Sequence, residues 1–165
     1  RALLYRAREA DVQLPMMQAV LASNRYQIDR AIDLGLGLKR RRVAMLGISF
    51  KAGTDDLRES PLVMLTEALI GKGLDIRIYD NEVSLARLVG ANKEYIEREI
   101  PHIASLLVDD LPAVVAHGEV LVIGNASSAF RQLSNLARPD QIVVDLARIP
   151  GLASSSHLDY RGISW

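Results

Sequence analysis

The chain contains no cysteine, which removes disulfides, thiolate metal ligands and a cysteine nucleophile from its 165 residues. Aromatic residues are scarce, with one Trp, two Phe and five Tyr. That is too few to build a stacking platform for single-stranded nucleic acid. Charge of either sign is not in excess: 20 Lys and Arg stand against 20 Asp and Glu. No global field therefore draws the chain to nucleic acid or to an anionic membrane. Long apolar runs are missing as well, the longest being strand-sized and well below the ~20 residues that cross a bilayer. His102, His117 and His157 lie far apart in sequence, so spacing gives no support to a metal cluster. These absences argue against nucleic-acid, membrane and metal classes and lead us to expect a cytoplasmic protein. The chain opens in mid-helical pattern without Met, so we expect it to be part of something larger.

What is present is a 49% hydrophobic content, enough for one core plus an appendage. Residues 2 to 10 read as the tail of a helix. Pro15 suits the first turn of another, and Met16, Val20, Leu21, Ile28, Ala31 and Ile32 recur at helical spacing to about Leu34. Gly35 and Gly37 are expected to close it, followed by the basic run Lys39 to Arg42, read as a solubilising hinge. The apolar stripe on this helix needs a partner.

From Val43 the pattern changes. Val43 to Ile48 is nearly all apolar, as in a strand buried on both faces of a parallel sheet. A polar loop runs to Glu59, and Ser60 caps a helix that begins at Pro61 and ends near Gly71 or Gly73. Further strands are expected at Leu74 to Asp80, Glu119 to Gly124 and Ile142 to Asp145, with a short edge strand near Tyr160 to Ile163. Helices are expected at 82–90, in two segments over 102–117, and at 127–135; Ser154 to Ser156 reads as a turn. This alternation predicts an α/β fold: a Rossmann-like open parallel sheet preceded by a long helix. Its ligand edge would gather the loops after Gly47, Asp80, Gly124 and Asp145.

The loop after Gly47 lacks the G-x-G-x-x-G turn of a dinucleotide site and has no Gly-Lys-Ser/Thr. It offers Lys51 and Arg58 among Asp55, Asp56 and Glu59. Arg presents a planar fork to phosphate or carboxylate, and Lys a mobile point charge. Two readings stand: a phosphate-bearing ligand along the loop, or salt bridges within it. Asp80 occupies the strand end where Rossmann domains bind a ribose; without the glycine turn, local pairing is the simpler account. Asn24, Arg25 and Gln27 lie on the long helix, either at a groove or on its solvated face. Ser156, His157 and Asp159 fall in one loop with no nucleophile elbow, which argues against a triad.

The segment from Gly47 through Phe50, Lys51, Thr54, Asp55, Asp56, Arg58, Glu59 and Ser60 to Pro61 resembles the G-x-x-F-K-x-x-T-D-D-x-R-E-S/A-P signature of the UDP-glucose/GDP-mannose dehydrogenase family. Leu69 to Gly73, Ile78 to Asp80 and Gly90 to Lys93 look most like its bacterial GDP-mannose-oxidising members, which serve alginate synthesis. The resemblance implies a connector and dimerisation region over residues 1–38 and a C-terminal sugar-nucleotide-binding domain over 39–165. It implies oxidation of GDP-mannose, or a similar sugar nucleotide such as UDP-glucose, at C6 in two NAD-dependent steps. A cysteine and an NAD-binding domain would lie upstream, so these residues alone are expected to be inactive. Carried over by position, Phe50 and Lys51 bind the substrate and Lys51 also acts in catalysis, Asn24 lies on the substrate side, and Arg58 reaches the dinucleotide. Relatives carry D-G-R-N where this chain has Asp145-Leu146-Ala147-Arg148, which leaves Arg148 without an assigned task. A homodimer through the long helix is implied too. The alternative is a non-catalytic sugar-nucleotide-binding or dimerisation module, distinguished by the absence of Cys followed by Leu-Pro-Lys-Asp just upstream.

Overall fold

The structure, a computed structural model, describes residues 2–83 and 90–163. A short helix, α1 (Ala2–Glu9), leads into the long α2 (Pro15–Gly37). The sheet unit follows with β1 (Arg42–Leu46), α3 (Pro61–Gly71), β2 (Asp75–Tyr79), α4 (Gly90–Glu99), α5 (Pro101–Ala104), α6 (Leu111–His117) and β3 (Val120–Ile123). A 3-10 turn at Ser128–Gln132 runs into α7 (Leu133–Leu136), then come β4 (Ile142–Asp145), a second 3-10 turn at Leu152–Ser154 and β5 (Asp159–Gly162).

All five strands are parallel, in the order β2-β1-β3-β4-β5. The near-continuous apolar runs in β1, β3 and β4 exist because the sheet is covered on both sides. Register sorts them. Val43, Val120 and Ile142 align, as do Met45, Val122 and Val144, and these enter the core shared with Leu62, Leu65 and Leu69 of α3 and Ala31 of α2. The alternate residues Ala44, Leu46, Leu121, Ile123 and Val143 face the other way, onto Val114 and Val115 of α6, Phe130 and Leu133. Each fully buried Leu, Ile or Phe contributes about 1.5–3 kcal/mol of burial. The doubly wound sheet expected from the sequence is therefore present.

Helix α2 ends at Gly37, one of the two glycines expected to close it, and Leu34, Leu36 and Leu38 pack against the sheet core and hold the last turn. Other boundaries differ from expectation. Helix α4 was not anticipated: half of its ten residues are charged and only Ile96 is buried. The helix expected over 82–90 falls mainly on residues 84–89, outside the described residues. Between α5 and α6, Leu106 O accepts from Ile78 N and Val108 N donates to Ile78 O, covering the outer edge of β2. The basic run is clipped by Glu119, whose Oε2 accepts from the Arg41 and Arg42 amides at 3.2 and 3.1 Å. Those bonds hold the Glu119 carboxyl below its ordinary pKa. Among the described residues no helix is long and apolar enough to cross a membrane.

Candidate functional site at the carboxyl edge of the sheet

The strand order reverses its direction of growth between β1 and β3, and open α/β sheets receive ligands at the carboxyl ends of such a pair. Leu46 and Ile123 end these strands side by side. The chain then turns at Gly47 and Gly124, and both positions demand glycine. Gly47 has φ +84°, and a Cβ there would lie 2.6 Å from the Asn125 side chain; one on Gly124 would lie 2.3 Å from the Gly47 carbonyl oxygen.

The close approach lets a buried polar cluster form between three strand ends. Asp80 Oδ2 accepts from the backbone amides of Ile48 at 2.8 Å and Ser49 at 3.0 Å, and from Ser49 Oγ at 2.9 Å. Asn125 Nδ2 donates to Ser49 Oγ at 2.9 Å, while its Oδ1 accepts from the Ser127 amide at 3.2 Å. Asp80, Ser49 and Asn125 are all buried. Asp80 thus pairs locally and does not face a ribose. Its carboxylate takes up the Ile48 and Ser49 amides of the turn after β1, the place where a dinucleotide domain directs backbone N–H groups at pyrophosphate.

The open space lies to one side. A cleft of about 750 Å³ separates α2 from the start of α3 and the loop before it. Asn24, Arg25 and Gln27 line it from α2, Phe50 and Glu59 from the loop, and Gly124 and Leu146 from the neighbouring strand ends. The α3 start is well fixed: Ser60 Oγ accepts from the Leu62 amide at 3.2 Å and donates to the Ile48 carbonyl at 2.8 Å. Gln27 Oε1 is enclosed without a hydrogen-bond donor, and Arg25 pairs with Asp29 along the helix at 3.1 Å. Glu59 holds φ +56°, a backbone state in which a non-glycine residue stores strain.

Of the residues singled out from the sequence, Asn24 and Phe50 meet in this cleft. Phe50 is 68% exposed and Lys51, next to it, is also exposed on the loop. Arg58 is turned onto Asp56, with Nε and Nη2 at 2.7 and 2.9 Å from the two carboxylate oxygens. That hydrogen bond is the main reason the Asp56 carboxyl sits below its ordinary pKa. For this cation the salt-bridge reading describes the geometry. Arg148 has φ +59° and its amide donates to the buried Asp145 at 2.7 Å, which also accepts from the Ala147 and Ile149 amides and Tyr160 Oη. Ser156, His157 and Asp159 form no triad, since His157 Nε2 lies 2.9 Å from the Ser134 carbonyl and Asp159 pairs with Arg161. Among the described residues no cluster of three or more His, Asp or Glu suits a metal.

Sequence reasoning missed Ser49 and Asn125 as members of the polar cluster. The legible signal was polar residues directly following apolar strands at the ligand edge, beside glycine. Glu59 was read only as a loop acid.

Residues 44–150 match the UDP-glucose/GDP-mannose dehydrogenase family, UDP binding domain. The chain is 50% identical over 165 residues to the GDP-mannose 6-dehydrogenase of Pseudomonas aeruginosa, covering 100% of this chain and 37% of that protein. It is 47% identical to the enzyme of that name from Pseudomonas syringae pv. syringae, covering 100% and 38%. The crystal structure of a ternary complex of the Pseudomonas aeruginosa GDP-mannose dehydrogenase superposes with a TM-score of 0.87 at 50% identity, over 100% of this chain and 37% of the other. A UDP-glucose dehydrogenase from Pyrobaculum islandicum, 24% identical, shares the fold with a TM-score of 0.74 over 99% of this chain and 35% of its own. The chain spans a little over a third of the length of these curated relatives.

Proposed function

The chain belongs to the UDP-glucose/GDP-mannose dehydrogenase family, and we propose that it is the connector and C-terminal part of an NAD-dependent GDP-mannose 6-dehydrogenase acting in the cytoplasm. Residues 1–38 are the connector and 39–165 the sugar-nucleotide-binding domain. The observation that carries this reading is the cleft between α2 and the loop after β1, where Asn24 and Phe50 converge in a chain 50% identical to an enzyme of that name.

In this reading the nucleotide diphosphate enters the cleft, Asn24 meets its polar groups and Phe50 covers an apolar face. Lys51 extends toward the sugar C6, where its ammonium stabilises the oxyanion that develops on that carbon's oxygen. The dinucleotide and the cysteine that holds the aldehyde are supplied by other parts of the protein; NAD, when bound there, accepts the hydrides. Arg58 reaches that dinucleotide by exchanging Asp56 for a phosphate, which its planar fork fits equally well. The chain alone is then inactive. Its long helix pairs with a second copy, giving a homodimer.

Calorimetric titration of the chain with GDP-mannose, UDP-glucose and NAD tests the proposal. We expect weak binding of GDP-mannose, weaker binding of UDP-glucose and no measurable NAD binding. Tight NAD binding with no response to either sugar nucleotide would overturn it.

A further inference from the structure

Lys51 sits on an exposed loop, and an exposed lysine on a four-carbon stem has no preferred place. The segment that carries it is nevertheless anchored two residues upstream. Ser49 is fully buried, and its Oγ, with a single proton to share, lies 2.9 Å from Asp80 Oδ2 and 3.3 Å from the Lys51 carbonyl oxygen. Asn125 Nδ2 donates to the same Oγ at 2.9 Å, and the Ser127 amide, donating to Asn125 Oδ1, fixes which end of that amide faces Ser49. Three strand ends, those of β1, β2 and β3, therefore meet at one hydroxyl. Backbone support for the fold does not need that hydroxyl, because the Ile48 and Ser49 amides bind Asp80 independently.

We propose that Ser49, oriented by Asp80 and Asn125, is a positioning residue that sets the direction in which Lys51 leaves the sheet edge. The proposal rests on the role given above to Lys51 and adds the device that aims it. Asp80 then serves the function without touching ligand: the carboxylate that takes up the Ile48 and Ser49 amides also organises the loop that serves the neighbouring cleft.

A double-mutant cycle separates positioning from plain structural support. Ser49→Ala should weaken GDP-mannose binding by about five- to tenfold, the worth of one net hydrogen bond. Lys51→Met should weaken it as well, and Ser49→Ala in the Lys51→Met background should add nothing further. Unchanged affinity in Ser49→Ala, or factors that multiply in the double variant, would overturn the proposal. Should the parent chain bind no sugar nucleotide, the functional reading fails while this one is still read by amide relaxation. Ser49→Ala must then raise the mobility of residues 50–53 and leave α3 unchanged; an unaltered 50–53 segment sinks it.

Discussion

The residue at position 124 shows how little room the ligand edge leaves. An added methyl there meets the Gly47 carbonyl, which is backbone and does not swing aside, and Leu62 Cδ1 at 2.7 Å. Gly124→Ala should cost about 1–3 kcal/mol of stability, seen as a lower urea midpoint with an unchanged slope. Asp56 is a contrasting case at the surface. Its carboxyl pKa is lowered chiefly by the side-chain bond from Arg58. A depressed carboxyl contributes stability above its unfolded pKa and loses it as pH falls through the folded value. Carbon-detected NMR titration should give Asp56 a midpoint below the ordinary carboxylate range, returning to it in Arg58→Ala. Because both side chains are largely solvated, the melting temperature should barely follow. The sequence displayed both charges but not their pairing, since a Lys or Arg among three acids has several partners within reach of a flexible loop.

At the scale of elements, the strands and α3 were legible because their signals are local. Apolar runs of strand length announce β1, β3 and β4, and Ser60-Pro61 announces the start of α3. Ser60→Ala removes the cap on the Leu62 amide and the bond to the Ile48 carbonyl together. It should destabilise the chain by about 1–2 kcal/mol, with amide exchange accelerated first in residues 61–64. A Ser60→Asp variant keeps the acceptor for Leu62 but buries a charge, so it should not restore the loss. Helix α4 escaped notice for a physical reason. It has one buried side chain, Ile96, and its remaining support comes from contacts such as Lys93 with Glu97, so no apolar stripe marks it. The polar cluster at the ligand edge escaped for another reason: Ser49, Asp80 and Asn125 are remote in sequence and only the strand order brings them together.

For the molecule as a whole, the sheet unit buries its own core on both faces, whereas α2 has one buried residue, Ala31. Exposed apolar side chains collect toward its start: Met16 is 82% exposed and Val20, one turn on, 47%. Leu3 and Tyr5 of α1 are exposed as well. Such groups left in water oppose solubility, and a second copy of the same face would cover them about a two-fold axis. Size decides how much must take part. A 23-residue helix is about 35 Å long and about 10 Å wide, offering a stripe of roughly 350 Å². A stable interface takes about 800 Å² from each partner; α2 with the 8-residue α1 reaches roughly 470 Å² by the same measure, the size of a weak, concentration-dependent contact. We therefore expect the chain to sediment as a dimer at micromolar concentration, with a melting temperature that rises with protein concentration. Met16→Asp with Val20→Asp should yield monomers, and Leu3→Asp with Tyr5→Asp should weaken the dimer independently. Because these side chains face water in the single chain, neither change should unfold the sheet unit. A parent chain that sediments as a monomer at every concentration tested would remove the dimer from the proposed function while leaving the cleft, and the loop that is aimed at it, in place.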